Sequence, residues 1–316
     1  MTDLSVIIST FNRSEDLKIA LDCLKKQVLT SPVDYEVLII DNNSTDDTKS
    51  VVESFSPAFQ GRLKYFFEPR QGKPFAMNLG IKECKGEIIV MTDDDCSMES
   101  DYLENVYNTF KESGPNIGFI GGKIIPRWVN CSKPEWFDNL EPDWFKDFFW
   151  GPLAILDYGD KPFIINWDLY ESQGKKLLYG ANMAARKEIF LKYGDFDHEK
   201  RITEDMEFQL RLLRAGVQVL YTPRVRVFHK VTAKRLRPGC YYRWYLERGF
   251  YMEINEVYEK KPYYPFGIPF YFVARTCKLF AKSVFARPLT EKMYHRCRAI
   301  FNIGQMVQIA KMPSKN

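Results

Sequence analysis

The sequence predicts an α/β fold: a mostly parallel sheet with helices on both faces, followed by a basic amphipathic helical extension. Two observations predict the sheet, and a third the extension. Short apolar, β-branched runs alternate with amphipathic stretches over the first hundred residues. The notable polar clusters each stand at the carboxyl end of such a run, where ligands bind in open parallel sheets. Charge is divided unevenly: from Pro223 to the end there are 19 Lys/Arg against 5 Asp/Glu, a net of +14, while residues 1–222 hold 26 against 36, a net of −10, which together give the formal +4.

Leu4 to Thr10 (LSVIIST) reads as a buried strand. Phe11-Asn12-Arg13-Ser14 is a polar turn, and Ser14 is positioned to cap a helix over 15–27 with apolar spacing at Leu17, Ala20, Leu21 and Leu24. Tyr35 to Ile40 is a second strand that ends in Asp41-Asn42-Asn43-Ser44-Thr45-Asp46-Asp47, with a helix from about Thr48. Leu63 to Phe67 is a third strand, residues 72–84 hold a loop and helix, and Glu87 to Met91 is a fourth strand running into Asp93-Asp94-Asp95. From Gly114 to Tyr179 the pattern loosens into an excursion rich in Trp, Phe, Pro and Asp, as in Trp136-Phe137 and Phe148-Phe149-Trp150, suited to lining an acceptor site. A helix over 205–215 is closed by Gly216, and Val217–Tyr221 and Val225–His229 read as two short strands. Residues 241–258 read as helix, and 262–286 alternate aromatic and apolar residues with Arg275, Lys278 and Lys282.

With 45% hydrophobic and 15% aromatic residues, the chain can bury a sizeable core. Seven scattered cysteines without a CxxC pair point to reduced thiols and a cytoplasmic compartment. No signal peptide pattern and no spanning run of roughly 18 apolar residues is visible. The basic, aromatic C-terminal third implies an anionic partner. That partner is expected to be an anionic membrane surface, with the protein peripheral on its inner face. The competing reading of the same tail is a basic surface packing on the acidic body, as in a possible homodimer.

The acidic triplet carries the chemistry. Adjacent carboxylates repel unless a cation or solvent relieves them, and hard divalent cations bind carboxylate oxygen. Residues i and i+2 of an extended segment point the same way, so Asp93 and Asp95 are expected to share a Mg²⁺ or Mn²⁺ ion, with Asp94 facing elsewhere. A solvated acidic turn is the alternative, which the placement at a buried strand end disfavours. Asp41 and Ser44 suit a ribose hydroxyl or base N–H, or equally a turn and helix cap. Thr10, Asn12 and Arg13 lie beside them in the strand order, Arg13 offering a planar fork for phosphate. Gly72-Lys73 lets backbone approach a ligand and supplies a point charge for a diphosphate. Asp205, at a helix start, is either a general base or a carboxylate satisfying the helix dipole. His229 ends a short strand and is a candidate third metal ligand.

Taken together, residues 4–230 resemble glycosyltransferase family 2. The motifs are Val6-Ile7-Ile8-Ser9-Thr10-Phe11-Asn12-Arg13, Glu36 to Asp46, Gly72-Lys73 with Asn78-Leu79-Gly80, Thr92-Asp93-Asp94-Asp95, Gly180 to Arg186, and Glu204-Asp205. The resemblance implies a GT-A fold over 1–230, with a nucleotide-binding half (1–113) and an acceptor-binding half (114–230), and an extension over 231–316. It implies an inverting, metal-dependent transfer from a nucleotide-sugar, a UDP-sugar in most members, to a saccharide or lipid-linked saccharide in envelope glycan assembly. Thr10, Asn12, Arg13, Asp41, Ser44, Gly72, Lys73, Asn78, Asp93 and Asp94 then face the donor. Asn182, Met183, Glu204 and Trp150 face the acceptor, and Asp205 is the base. The first loop lacks the family's frequent Pro-x-Tyr-Asn form, and the Arg243-Trp244 region lacks the glutamine of processive synthases, which points to single addition. A sugar-nucleotidyltransferase would carry a glycine-rich phosphate loop after its first strand, where Thr10-Phe11-Asn12-Arg13 stands. A nucleic-acid-binding protein leaves the three acidic clusters unexplained, so no nucleic-acid partner is expected.

Overall fold

The computed structural model describes residues 2–30, 32–141, 143–172, 176–252 and 268–311. The chain forms two compact units, Met1–Arg127 with Ala154–Lys230, and Trp128–Leu153 with Val231–Asn316. Among the described residues nine strands join in one sheet. Its first half is parallel, as the alternation predicts: β3 (Leu63–Phe67), β2 (Tyr35–Asp41), β1 (Leu4–Thr10) and β4 (Ile88–Asp93), in that spatial order. β1 is central because Val6, Ile7 and Ile8 are fully buried, with helices on both faces excluding water. Its register sets Thr10 opposite Asp41 and Ser9 opposite Asp93, so the polar ends of three strands share one edge.

The sheet then turns antiparallel through β8 (Asn182–Arg186), β6 (Ile117–Val129), β9 (Gln218–Thr232) and β5 (Cys96–Met98), with β7 (Phe163–Ile165) also on β9. Two sequence expectations are corrected here. β6 is a strand of 13 residues inside the segment read as irregular, and β9 is one strand of 15 residues where two short ones were expected. The misleading residues are Gly121, Gly122 and Pro223, which look like breaks in the sequence. The glycines instead permit close strand approach: a Cβ on Gly122 would lie 1.7 Å from the Val225 carbonyl oxygen, and one on Gly121 would lie 2.7 Å from that of Asn182.

Helix α1 (Ser14–Lys25) is amphipathic as expected, but Ser14 is not its side-chain cap. Asp46 does that work for two helices. Its Oδ2 accepts from the Ser14 N–H (2.9 Å), and its Oδ1 from the Thr48 N–H (3.1 Å) at the start of α2 (Thr48–Phe59). α3 (Lys73–Glu83), α4 (Tyr102–Glu112), α5 (Asp143–Trp150), α6 (Trp167–Ser172), α7 (Lys187–Tyr193) and α8 (Glu204–Arg214) follow in chain order.

The second unit is helical: α5 with α9 (Pro238–Tyr251), α10 (Phe270–Phe285) and α11 (Leu289–Lys311). Phe148 stacks on Tyr245 at 4.4 Å, and Trp150, buried, stacks on Phe137 at 5.3 Å. α9 and α11 meet backbone to backbone. A Cβ on Gly249 would sit 2.1 Å from the Phe301 oxygen, and one on Gly304 would sit 2.2 Å from the Leu246 oxygen. The expected helix over 241–258 is seen to Tyr251, and the alternating stretch 262–286 is helical from Phe270; residues 253–267 lie outside the described ones. Among the described residues no helix is long and apolar enough to cross a membrane.

Gly122→Ala is expected to cost about 3 kcal/mol or more, because the added methyl meets backbone oxygens that have no rotamer to escape into. Urea unfolding would show a lower midpoint at an unchanged m-value.

Candidate active site

The acidic triplet occupies a turn built by two strands of opposite direction. β4 ends at Asp93, residues 94 and 95 turn the chain, and β5 pairs with β9 so that Cys96 lies opposite His229. The Lys230 N–H donates to the Asp95 carbonyl at 3.1 Å and closes the turn. His229 Nε2 thereby stands 3.2 Å from Asp95 Oδ1, both side chains almost fully buried. One donor atom from each of Asp93, Asp95 and His229 falls within 4.8 Å of the others. Two carboxylate oxygens and an imidazole nitrogen that converge in this way fit a divalent cation. Asp94 faces Arg13 instead, whose Nη1 lies 3.0 Å from Asp94 Oδ1 and 2.8 Å from Asp95 Oδ2. Burial, then repulsion from Asp95 and Asp93, pushes the Asp94 carboxyl up to about 6 against the pull of Arg13. The guanidinium, although burial opposes its charge, is driven further up by Asp94 and Asp95.

Lys73 joins this cluster to a second one. It is the first residue of α3 and follows Gly72, whose φ of 141° lies in the region that favours glycine. Asn42 fixes the approach: its Oδ1 accepts from the Gly72 N–H (2.8 Å), and its Nδ2 donates to the Arg70 (2.6 Å) and Glu68 (3.2 Å) carbonyls. Glu68 in turn grips Arg70 through Nε and Nη2, both at 2.7 Å. Lys73 Nζ so placed bonds Asp93 Oδ1. On its other side stand Glu204 and Asp205, at the N-terminus of α8. A Cβ on Gly180 would lie 3.4 Å from Lys73 Nζ and 3.2 Å from Asp205 Oδ2. Burial opposes the Lys73 charge, but Asp93 and Glu204 outweigh it and keep the ammonium protonated well above its ordinary range.

Asp205 is held by backbone on both oxygens: the Gly180 N–H donates to Oδ2 (2.7 Å) and the Met206 N–H to Oδ1 (2.8 Å). Burial raises its carboxyl, with Lys73 opposing. Glu204 is raised by burial and by Asp205, again against Lys73. Its Oε2 is buried without a hydrogen-bond partner among the described residues. Both carboxyls of the pair are thus shifted upward by burial, against Lys73 and against the positive end of α8, which favours the anions.

The remaining predicted residues divide. Thr10 and Asp41 are buried side by side at the sheet edge. Asp41 accepts from the Ser44 N–H (2.8 Å) and the Tyr65 hydroxyl (2.7 Å), which orients its carboxylate along that edge. Asn12, at φ 51°, accepts from the Thr45 N–H at 2.7 Å, and its own N–H donates to Ser44 Oγ at 2.9 Å, locking the first two loops together. Asn78 uses both amide atoms on the Phe196 backbone, 2.8 and 3.0 Å away. Asn182, fully buried, accepts from the Tyr102 hydroxyl (3.0 Å) and donates to the Lys123 (2.9 Å) and Val225 (3.0 Å) carbonyls. Met183 is buried between β4 and β6. Trp150 belongs to the second unit. Asn42, Asp46 and Gly180 stood in the quoted motifs without a role, and Glu68 was not named; their roles rest on partners that sequence spacing does not reveal.

Known proteins resemble the chain in sequence and in fold. A family model described as "Glycosyl transferase family 2" matches residues 5–171, more than half of the chain. The chain is 33% identical over 121 residues to the glycosyltransferase AglE of Haloferax volcanii, covering 38% of this chain and 39% of that one. It is 33% identical over 135 residues to the GalNAc(5)-diNAcBac-PP-undecaprenol β-1,3-glucosyltransferase of Campylobacter jejuni, covering 42% of each. The matched stretch thus spans about two-fifths of the length of these relatives. In three dimensions the chain aligns over 98% of its length, and 75% of the other chain, with a mannosyltransferase from Pyrobaculum calidifontis in complex with GDP-Man and Mn²⁺, at a TM-score of 0.52 and 19% identity, a likeness of fold.

Two substitutions separate ligand-facing from structural polar residues. Asp95→Ala is expected to abolish tight Mn²⁺ binding measured by calorimetry, with a folded protein. Asn182→Ala is expected to leave Mn²⁺ binding intact and to lower stability by roughly 3 kcal/mol in urea, since it strands three buried partners.

Proposed function

The chain belongs to glycosyltransferase family 2, and from that premise we propose that it moves a sugar from a nucleoside diphosphate-sugar to a lipid-linked saccharide, inverting the anomeric carbon. One observation carries the reading: the half-buried Lys73 ammonium stands between a carboxylate–imidazole donor set and the acidic pair Glu204-Asp205. The first suits a diphosphate leaving group, and the second suits an acceptor hydroxyl.

Asp93, Asp95 and His229 would hold Mg²⁺ or Mn²⁺, which when bound offsets charge on the departing diphosphate. Lys73 and Arg13 supply fixed positive charge beside it, so the leaving group meets dipoles and charges already in place. Asp41, with Thr10 at the end of the adjoining strand, offers a buried carboxylate to ribose or base. Uridine diphosphate is the nucleotide to test first, with guanosine diphosphate beside it. Asp205 takes the proton of the acceptor hydroxyl as the oxygen attacks. Its two backbone hydrogen bonds fix the carboxylate in the direction of attack and leave lone pairs on both oxygens. The name of the Campylobacter relative supports a polyprenyl diphosphate-borne acceptor.

Release of UDP and GDP from a panel of nucleotide-sugars, with a polyprenyl diphosphate-linked saccharide as acceptor and with Mn²⁺ or chelator, tests the whole reading. No metal-dependent turnover with any donor would sink it. Asp205→Asn is expected to lower kcat by about 10³-fold while donor affinity changes little.

The pH dependence follows from burial. A base works when deprotonated, so activity is lost as pH falls through the raised pKa of Asp205. The acid limb of kcat at saturating donor is therefore expected above the ordinary aspartate value of about 4. Lys73→Met removes the cation that opposes the rise and is expected to move that limb further up; an unmoved limb would separate Lys73 from the base.

A further inference from the structure

The second unit contains a helix packed inside out. At about 3.6 residues per turn, α10 divides into three rows. The row against its neighbours is Phe272, Thr276, Leu279 and Ser283, so the helix buries a threonine and a serine, 6% and 1% exposed. Both hydroxyls are satisfied only by the helix's own carbonyls, of Phe272 and Phe280. The opposite row is apolar and open: Phe270 is 72% exposed, Val273 41%, Phe280 38%, Val284 66% and Phe285 84%. Between them runs a third row, Arg275, Lys278 and Lys282, all exposed. Scattered exposed apolar side chains are ordinary, but a continuous stripe on one helix face marks a surface that something covers.

The charge pattern identifies what. Residues 268–290 contain four Lys/Arg and no Asp or Glu. A second copy meeting this face through a two-fold axis would bring basic rows together without an acid to answer them. Nucleic acid would satisfy the cations and leave the phenylalanines in water. An anionic lipid surface satisfies both, with apolar side chains below the headgroups and Lys and Arg reaching up to phosphate.

We propose that the outward face of α10, centred on Phe280, Val284 and Phe285, lies in the headgroup layer of an anionic bilayer, with Arg275, Lys278 and Lys282 on the lipid phosphates. The purpose of this docking rests on the lipid-linked acceptor reading, but its observations do not. α10 has no part in the metal, donor or base groups, so the two readings fail separately.

Flotation of the full-length protein with phosphatidylcholine vesicles, alone or with about one-third phosphatidylglycerol, tests it. The wild type is expected to favour the anionic vesicles by roughly tenfold or more, less so in high salt. Phe280→Glu/Val284→Glu is expected to lose that preference, and Lys278→Glu/Lys282→Glu to weaken it at least tenfold at low salt. Both exchange exposed side chains, and an unchanged thermal melt together with unchanged donor hydrolysis shows that the fold and the reacting groups survive. Equal binding to both vesicle types, variants that float like the wild type, or a dimer in light scattering that Phe280→Glu/Val284→Glu dissolves would each overturn the proposal. Loss of flotation with an unchanged thermal melt supports it whether or not the transfer reading stands.

Discussion

Five carboxylates are held by two cations, Lys73 among Asp93, Glu204 and Asp205 and Arg13 against Asp94 and Asp95, and the geometry of the site depends on that imbalance. Lys73 bonds Asp93 and faces Asp205 across Gly180, while Arg13 clamps Asp94 and Asp95 from the side. Two cations against five acids leave the site short of positive charge in a poorly solvated place. The raised carboxyls of Asp94, Glu204 and Asp205 are the measure of that shortage. A divalent cation held by Asp93, Asp95 and His229 would relieve that shortage.

The backbone explains how acids so far apart in sequence come together. Parallel pairing of β1 with β2 and β4 aligns Thr10, Asp41 and Asp93 at one edge, because in a parallel ladder each strand ends on the same side. The antiparallel half then returns His229 on β9 to the turn after β4, and the N-terminus of α8 brings Asp205 to Gly180. A side chain at Gly180 would crowd both groups, since a Cβ there would lie 3.2 Å from Asp205 Oδ2 and 3.4 Å from Lys73 Nζ. The loops are tied in pairs, Asn12 to Ser44 and Thr45, Asn42 to Gly72, so the ligand-facing residues ride on connections with little freedom of their own.

Much of this was legible in the sequence, and for identifiable reasons. β1, β2 and β4 are short runs of Val, Ile and Leu bounded by Asp, Asn and Ser, a pattern with few alternatives, so the acidic ends of β2 and β4 could be placed at one edge from the alternation alone. Asp93 and Asp95 converge as expected, but through the turn at 94–95 that β9 closes and not along an extended strand. What escaped was whatever depends on partners distant in sequence. β6 and β9 were obscured by glycines and a proline whose meaning is the backbone opposite them. Asn182 and Asn78 look like ligand contacts in a motif, but their amides are consumed by carbonyls from other strands and by Phe196. The basic, aromatic character of the C-terminal third was visible; that α10 hides its hydroxyls and shows its phenylalanines was not, since only packing decides which face of a helix is covered.

The direction in which each acid is shifted separates scaffold from site. Glu36, Asp46 and Glu68 are held below the ordinary carboxylate range, although burial pushes each of them up. Lys64 and Ser5 outweigh it at Glu36, Thr48 and Ser14 at Asp46, and Arg70, the largest influence of all, at Glu68. These acids are satisfied, and the protein is more stable for their charge. Asp94, Glu204 and Asp205 are shifted upward, with other acids among the causes, which no stability argument favours. Asp195 is also raised, but by burial alone with Arg211 opposing it and no acid adding to the rise, so an upward shift by itself is not the mark. The mark is acids raising one another around a cation in a strand-end cleft. A fold keeps such an arrangement only where something outside the chain completes it.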